Sequence, residues 1–351
     1  MEARLQGNLR SSDSVAPSRY PVRQLLCRNK NLPRSIGALM GQLIDGEWRN
    51  EPLPATGSGE FVRAPSTFRN WVKAGDTSEY PAMPGRYHLY VARACPWCHR
   101  TMIARVAKQL ESIVSISFVE PFVFDHGWTF AKPDPLTGVR YIYELYTQAD
   151  PLFTGRATVP LLWDKETHTI VNNESSDIIR MFDHEFDDIT DELTDYYPDA
   201  FSNEIDQISA RLYETVNNGV YRAGFATSQS AYETAVQQLF ESLDWLEERL
   251  QRQRYLLGEL VTEADWRLFP TLVRFDAVYY AHFKCNLRHV YEYPALWDYT
   301  REFYQMPGVA ATVSIEEYKM HYYGSHRNLN PAGIIPMGPF LDFMAPHGRG
   351  R

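Results

Sequence analysis

The sequence contains little cysteine and no long apolar run. Only four of its 351 residues are cysteines, which excludes a disulfide-stabilised scaffold and favours a reducing compartment. No stretch approaches the roughly 20 consecutive apolar residues that a membrane-spanning helix requires. These two absences predict a cytoplasmic protein that does not bind membranes.

Positive charge is also scarce over most of the chain. The formal net charge is −9, so nucleic acid is not an expected partner. Residues 1–35 are the exception, since they carry seven basic side chains and only two acidic ones. An organellar transit peptide is one interpretation of this segment. A polar N-terminal arm is the preferred interpretation, because no apolar run or cleavage pattern accompanies the charges.

Aromatic residues, by contrast, are abundant. The chain has 22 tyrosines, 18 phenylalanines and 8 tryptophans. Many tyrosines together can line an apolar pocket that still offers hydroxyl groups. The length of the chain and its hydrophobic share of 44% are sufficient for two globular domains with buried cores.

The first half of the chain predicts a thioredoxin-like domain of the order βαβ followed by ββα. Apolar residues recur at helical spacing over 102–110, and a later helix opens with Ser175 as its candidate N-cap. The segment 124–157 is interpreted as an insertion between the two halves of this domain. Four β-rich runs predict the strands, at residues 86–92, 113–119, 158–163 and 169–171.

From about residue 200 the pattern becomes helical. Apolar residues follow steps of three and four over 231–250. Thr262 and Asp265 have the spacing of a capping box, with Asp in place of Glu, which predicts the start of another helix. The fold class is therefore α/β plus all-α. It divides into an N-terminal arm at 1–80, a thioredoxin-like domain at 81–190, an all-helical domain at 195–330 and a C-terminal tail at 331–351.

Cys95 is the clearest candidate for a catalytic residue. It lies where a predicted strand ends and a helix begins. The free N–H groups and the dipole at a helix start favour an anion and lower the pKa of a thiol. Pro96 fits the first helical turn without loss of a hydrogen bond, and Arg93 and Arg100 are expected to add positive potential. A thiolate of this kind is a nucleophile suited to attack on sulfur.

Cys98 completes a Cys-x-x-Cys spacing, for which two interpretations are open. Cys98 could attack a mixed disulfide on Cys95 and so resolve it, or it could be a small buried side chain on the first helical turn. A zinc site would need two further ligands. Only Cys27, Cys285 and scattered histidines are available, so no metal is predicted.

Two later motifs have the features of a peptide-binding surface. In thioredoxin-like folds a proline at the position of Pro160 is cis and exposes the backbone of the preceding residue, here Val159, to a peptide-like ligand. Glu174 offers a carboxylate for an amine, and Ser175 offers a hydroxyl and N–H groups for a carboxylate. Ordinary helix capping explains the same pair, and both interpretations can hold together.

These patterns resemble the glutathione-transferase superfamily and, in detail, its branch of glutathionyl-hydroquinone reductases, the Xi class. The resemblance extends from about residue 40 to the C-terminus. The strings at 216–226 and 282–285 are unusual enough to make it specific, whereas the Cys-Pro-Trp element alone is not. The matching strings are residues 94–97, 126–128, 155–160, 173–175, 216–226, 260–265, 282–285 and 321–326.

The resemblance implies that five of the matching residues bind glutathione. Trp128 would cover the bound tripeptide, and Arg156 would pair with one of its carboxylates. Val159 would pair its backbone with the peptide unit of the ligand. Glu174 and Ser175 would hold the γ-glutamyl end.

The resemblance also implies a reaction. The Cys95 thiolate would attack the sulfur of a glutathionyl-hydroquinone, and the hydroquinone would leave and gain a proton, with Tyr221 or Tyr322 as general acid in the aromatic pocket. A further thiol would then release oxidised glutathione. The family commonly has alanine at the position of Cys98, so that thiol is either a second glutathione or Cys98. Glutathione would be a co-substrate, no metal would be needed, and the protein would form a homodimer through its helical domain.

Two other functions remain open on the sequence alone. An omega-like thiol transferase would reduce mixed disulfides or dehydroascorbate with the same Cys95. A non-enzymatic binding module would use the fold without the thiol, but the presence of Cys95 with Trp128 and Arg156 argues against it. Tyr221 and Tyr322 discriminate between a hydroquinone reductase and an omega-like thiol transferase. If both side chains reach the Cys95 pocket, an aromatic substrate is favoured. Low-molecular-weight thiols other than glutathione also fit the matching residues.

Overall fold

The structure, a computed structural model, describes residues 41–50, 57–75 and 77–350. The basic segment at 1–35, for which we predict an N-terminal arm, and Cys27 lie outside these ranges. Among the helices of the described ranges, none is long and apolar enough to cross a membrane.

A four-stranded mixed sheet forms the centre of the first half. Its strands are β3 (Tyr87–Val91), β4 (Ser115–Phe118), β5 (Leu161–Asp164) and β6 (Thr169–Asn172), and they follow a separate hairpin of β1 (Gln42–Ile44) and β2 (Glu47–Arg49). The order across the sheet is β4-β3-β5-β6. Strand β3 is parallel to β4 and antiparallel to β5, and β5 is antiparallel to β6. All five residues of β3 are buried, as expected of a central strand with both faces covered.

The loop before β5 differs slightly from the prediction. The strand begins at Leu161 rather than at residue 158, because Pro160 has no N–H group to donate to a ladder. The Val159–Pro160 peptide bond is cis, as predicted. The backbone of Val159 precedes the strand, and its carbonyl oxygen lies 3.7 Å from the sulfur of Cys95.

Three helices accompany this sheet: α1 (Pro96–Ala107), α2 (Ile142–Ala149) and α3 (Ser175–His184). Helix α2 lies within the segment predicted as an insertion, and it contacts β6. Its buried residues Ile142 and Tyr146 have the spacing of an amphipathic helix that the sequence prediction overlooked. The Tyr146 hydroxyl donates to the carbonyl oxygen of Thr158 at 2.9 Å. Helix α2 thus packs on the sheet and supports the loop before Pro160, whereas the sequence prediction treated it as part of an insertion.

The second half is helical, as predicted. Its α-helices of six residues or more are α4 (Ser202–Leu212), α5 (Gly219–Gly224), α6 (Gln229–Arg252), α7 (Glu263–Arg274), α8 (Pro294–Gln305) and α9 (Ile315–Ser325). The capping box is confirmed, since the Asp265 carboxylate accepts from the Thr262 N–H at 2.8 Å. Residues 326–350 contain neither helix nor strand, which agrees with the predicted irregular tail.

Two π-helical turns interrupt the helices that reach the Cys95 region. One turn, Tyr213–Asn217, leads into α5, and the other, Phe275–Tyr279, follows α7. Turns of this kind often occur at functional sites, because the extra residue redirects the side chains that follow. Helix α7 also contacts α1, so the helical half packs directly on the helix that begins after Cys95.

Candidate active site

Cys95 lies at the junction that the sequence predicts. It is the N-cap of α1, with extended backbone angles (φ −76°, ψ 123°), and Pro96 is the first helical residue. The side chain is largely buried, with 8% of its surface exposed. Its sulfur lies 3.7 Å from the carbonyl oxygen of Val159. The thiol therefore faces the loop before Pro160, which is the loop predicted to bind a peptide-like ligand.

The pKa of the Cys95 thiol is lowered to about 7. Burial raises this pKa, since it disfavours the charged form. Hydrogen bonds to the sulfur from the Cys98 thiol and from the backbone N–H groups of Cys98 and Trp97 outweigh the burial, and the charge of Arg274 adds to them. A substantial fraction of Cys95 is thus a thiolate at neutral pH.

Arg274 is the cation that supports this thiolate. It is fully buried at the end of α7. Its guanidinium donates to the carbonyl oxygens of Arg93 at 2.9 Å and Ala94 at 3.1 Å, the two residues that precede Cys95. No carboxylate forms an ion pair with it within the described ranges. One side chain thus both holds the loop before Cys95 and supplies positive charge to its sulfur.

This finding corrects the expectation that Arg93 and Arg100 supply the charge. The Arg93 side chain points to Glu317, at 3.6 Å, and lies over the ring of Phe118. Arg100 is buried and donates to the Asn217 side chain at 2.8 Å. Both arginines are near Cys95 in the sequence, but Arg274 is the arginine whose charge lowers the pKa of its thiol.

Replacing Arg274 with glutamine should raise the pKa of Cys95 above its value of about 7, because the nearby cation is lost. At a pH below the pKa of the thiol, each unit of such a rise lowers the fraction of thiolate about tenfold. The rate of alkylation by iodoacetamide, followed between pH 5 and 9, measures the change. Arg274→Lys is the matched control, since it keeps the charge. An unchanged pH profile in a folded Arg274→Gln protein would contradict this role.

Cys98 lies behind Cys95 and not in the cavity. Its side chain is fully buried, and its sulfur accepts from the Ala92 N–H at 3.4 Å. Burial raises its pKa well above the usual value, and the hydrogen bond that it donates to Cys95 raises it further. Cys98 is therefore a neutral thiol that supports the Cys95 thiolate.

A single cavity brings the other predicted site residues together. Its volume is about 910 Å³, which is large enough for a tripeptide and an aromatic ring. Every candidate site residue except Cys98 contributes to its wall, namely Cys95, Trp128, Arg156, Val159, Glu174, Ser175, Tyr221 and Tyr322.

One end of the cavity carries the charges suited to a zwitterionic peptide. The Glu174 carboxylate accepts from the Ser176 N–H at 3.1 Å and the Ser66 hydroxyl at 2.9 Å. Burial raises the pKa of Glu174, but these hydrogen bonds and the charge of Arg100 lower it below the usual value, so the group is ionised. Glu174, and not Ser175 as predicted, is the N-cap of α3.

Arg156 and Trp128 lie in the same wall of the cavity. Burial and the charge of Arg63 lower the pKa of Arg156 to about 10, which still leaves it cationic at neutral pH. The indole of Trp128 stacks on the imidazole of His321, with ring centroids 4.9 Å apart. The sequence reasoning missed His321 as a site residue, although it belongs to one of the matching strings.

The other end of the cavity carries a chain of tyrosine hydroxyls. The hydroxyl oxygens of Tyr221 and Tyr322 are 2.5 Å apart, and that of Tyr279 lies 3.1 Å from Tyr322. Burial raises the pKa of all three phenols, so each is protonated at neutral pH. Tyr221 and Tyr322 both reach the cavity beside Cys95, and this arrangement favours an aromatic substrate. Tyr279, which the sequence reasoning missed, lies behind them.

Arg63 and Arg274 are two charged residues of the site that the sequence reasoning also missed. Arg274 lies between the apolar residues Val273 and Phe275, and a cation in such surroundings is a signal of a buried charge. Arg63 belongs to the segment predicted as an arm, and nothing in the local sequence places it near Cys95.

Comparison with known proteins agrees with this geometry. Residues 94–185 match the family model for the glutathione S-transferase N-terminal domain, and residues 229–302 match that for the C-terminal domain. Glutathionyl-hydroquinone reductase YqjG of Escherichia coli is 50% identical over 324 residues, which cover 88% of this chain and 98% of that protein. Glutathionyl-hydroquinone reductase PcpF of Sphingobium chlorophenolicum is 51% identical over 306 residues, with coverage of 86% and 96%.

Solved structures give the same result. A Xi-class glutathione transferase from Natrialba magadii has a TM-score of 0.83 at 47% identity, covering 89% of this chain and 97% of that one. The glutathione-bound structure of YqjG from Escherichia coli has a TM-score of 0.81 at 48% identity, with coverage of 88% and 99%. The chain therefore belongs to the glutathione S-transferase superfamily and, within it, to the Xi-class family of glutathionyl-hydroquinone reductases.

Proposed function

We propose that this protein reduces glutathionyl-hydroquinones to hydroquinones and releases oxidised glutathione. The observation that carries the proposal is the cavity itself, in which the sulfur of Cys95 faces the same space as the hydroxyls of Tyr221 and Tyr322. A thiolate that attacks sulfur and a phenol that supplies a proton are the two groups that this reaction requires.

Glutathione would occupy the charged end of the cavity. The Glu174 carboxylate would bind the α-ammonium group, and Ser175 with the start of α3 would bind the adjacent carboxylate. Arg156 would pair with the glycyl carboxylate, and Trp128 would cover the tripeptide. Val159 would hydrogen-bond the peptide unit, which would bring the glutathione sulfur close to Cys95.

The chemical steps balance without a metal or nicotinamide. The Cys95 thiolate attacks the glutathione sulfur and forms an S–S bond, and the electron pair of the broken C–S bond goes to the ring carbon. That carbon receives a proton from the Tyr221–Tyr322 pair. A second glutathione thiolate then attacks the mixed disulfide, so that oxidised glutathione leaves and the Cys95 thiolate returns.

The proposal is tested with a synthetic glutathionyl-hydroquinone and reduced glutathione. We expect the full chain to form hydroquinone and oxidised glutathione in equal amounts, as measured by liquid chromatography. Reduction of a small glutathione mixed disulfide without any release of hydroquinone would instead assign an omega-like thiol transferase. Absence of both reactions in the folded protein would favour a binding module.

We further propose that the second glutathione, and not Cys98, resolves the mixed disulfide. A fully buried thiol whose pKa is raised is a poor nucleophile, and Cys98 does not line the cavity. Cys98→Ala should therefore keep its activity to within about tenfold of wild type, the loss reflecting the missing hydrogen bond to Cys95. Steady-state assays measure the effect, with Cys98→Ser as the control that keeps a donor. Accumulation of glutathionylated Cys95 in Cys98→Ala would contradict this proposal.

The homodimer implied by the family resemblance is also proposed here. The helical half exposes large apolar side chains, among them Leu287 at 68% and Tyr291 at 44%. Exposed apolar side chains also occur in the first half, such as Leu152 at 72%. The proposal that the contact is made through the helical domain therefore rests on the family resemblance.

A further inference from the structure

Arg63 has no part in the reaction as described so far, although it lines the cavity. Its guanidinium lies over two aromatic rings, 4.8 Å from the centroid of Tyr221 and 4.9 Å from that of Trp97. Its Nε atom donates to the side-chain oxygen of Asn218 at 2.9 Å. These contacts hold the guanidinium against Tyr221, a predicted proton donor, although its charge also reaches Arg156.

Within the part of the chain that the structure describes, one nitrogen of this guanidinium, Nη2, is buried and has no hydrogen-bond acceptor. Among the described residues, no carboxylate lies within ion-pair distance of it. Buried donors normally have acceptors, because leaving them without one is costly. A cationic donor held in place beside a cavity is instead suited to an acceptor that arrives with a ligand.

Glutathione does not need this cation. It carries two carboxylates and one ammonium group at neutral pH. In the proposed complex Arg156 and Ser175 take the two carboxylates, and Glu174 takes the ammonium group. Arg63 is therefore left for the part of the substrate that lies against Tyr221, which is the aromatic ring.

We propose that Arg63 binds a carboxylate on the hydroquinone ring, so that the enzyme prefers rings that carry one. This inference rests on the proposed function, and it names the substrate class. The planar guanidinium offers paired N–H donors that match a carboxylate. Arg63 lines the cavity, so its guanidinium is within reach of a ligand bound there.

The test compares two glutathionyl conjugates that differ in one group, a hydroquinone carboxylate and the corresponding carboxamide. We expect wild type to favour the carboxylate in kcat/KM by about tenfold, as a hydrogen bond between charged groups implies. In Arg63→Gln the ratio should fall to about one, whereas Arg63→Lys should keep part of the preference. Arg288→Gln serves as the matched control, since Arg288 pairs with Asp244 at the surface and does not line the cavity.

Three kinetic results would overturn the inference: a wild-type ratio near one, an unchanged ratio in Arg63→Gln, or an equal rise in the KM for glutathione with both conjugates. The last would assign Arg63 to the tripeptide. Calorimetric titration with the free hydroquinone carboxylate and carboxamide separates this inference from the proposed function, because it needs no turnover. We expect the carboxylate to bind about tenfold more weakly to Arg63→Gln than to wild type, and equal affinities would overturn the inference even if the protein were active.

Discussion

Replacing Cys95 with serine is expected to abolish the release of hydroquinone, with a loss of at least about a thousandfold. A serine hydroxyl is not ionised at neutral pH and cannot form the mixed disulfide. In wild type the reaction of the thiol should accelerate as the pH rises through about 7, because the thiolate is the reactive form. The assay is hydroquinone release, and mass spectrometry of the protein detects glutathione bound to Cys95.

A second buried cysteine, Cys285, provides the control for this result. Cys285 is also buried, and burial raises its pKa beyond the physiological range, so Cys285→Ser should not acquire the same defect. Substantial release of hydroquinone by Cys95→Ser, or glutathione bound to another cysteine in wild type, would contradict the assignment of Cys95 as nucleophile.

Replacing both Tyr221 and Tyr322 with phenylalanine is expected to lower hydroquinone release about a hundredfold or more, the usual contribution of a general acid. The ring carbon that leaves sulfur must gain a proton, and these hydroxyls are the donors that line the cavity near Cys95. Each single variant should lose less, because the hydroxyls are hydrogen-bonded to each other and one can substitute for the other. Steady-state rates with a glutathionyl-hydroquinone measure the loss.

A matched reaction separates proton donation from binding. Reduction of a small glutathione mixed disulfide uses Cys95 but transfers no proton to carbon, since its leaving group is a thiolate. The double variant should therefore be far less impaired in this reaction. Equal losses in both reactions would show that the two tyrosines position the substrate or the thiol and do not act as acids.

The positions of Cys95 and of the main elements could be predicted from the sequence, because they depend on neighbouring residues. The helix that starts after Cys95 is indicated by Pro96 and the apolar spacing behind it. The start of α7 is indicated by Thr262 and Asp265, three residues apart. Helix α2 was missed, although Tyr146 and its neighbours carry the right spacing. Local rules of this kind act over a single turn, so they remain readable without a structure.

The resemblance extended the prediction to residues that no local rule connects. It placed Trp128, Arg156 and Glu174 in one site with Tyr221 and Tyr322, and the structure brings all five to one cavity. Periodicity alone would have assigned most of these aromatic residues to the core. It is the shared strings of the family that distinguish them.

The tertiary structure decides which charged side chains lie near the Cys95 sulfur and in the cavity. Arg93 and Arg100 are the arginines near Cys95 in the chain, yet Arg274 supports its thiolate, and Arg63 enters the cavity from a segment interpreted as an arm. The sequence by itself determined where a reactive sulfur lies and which elements surround it. Which charges face that sulfur depends on the packing of helices distant in the chain, because Coulomb interactions follow distance in space and burial rather than separation in sequence.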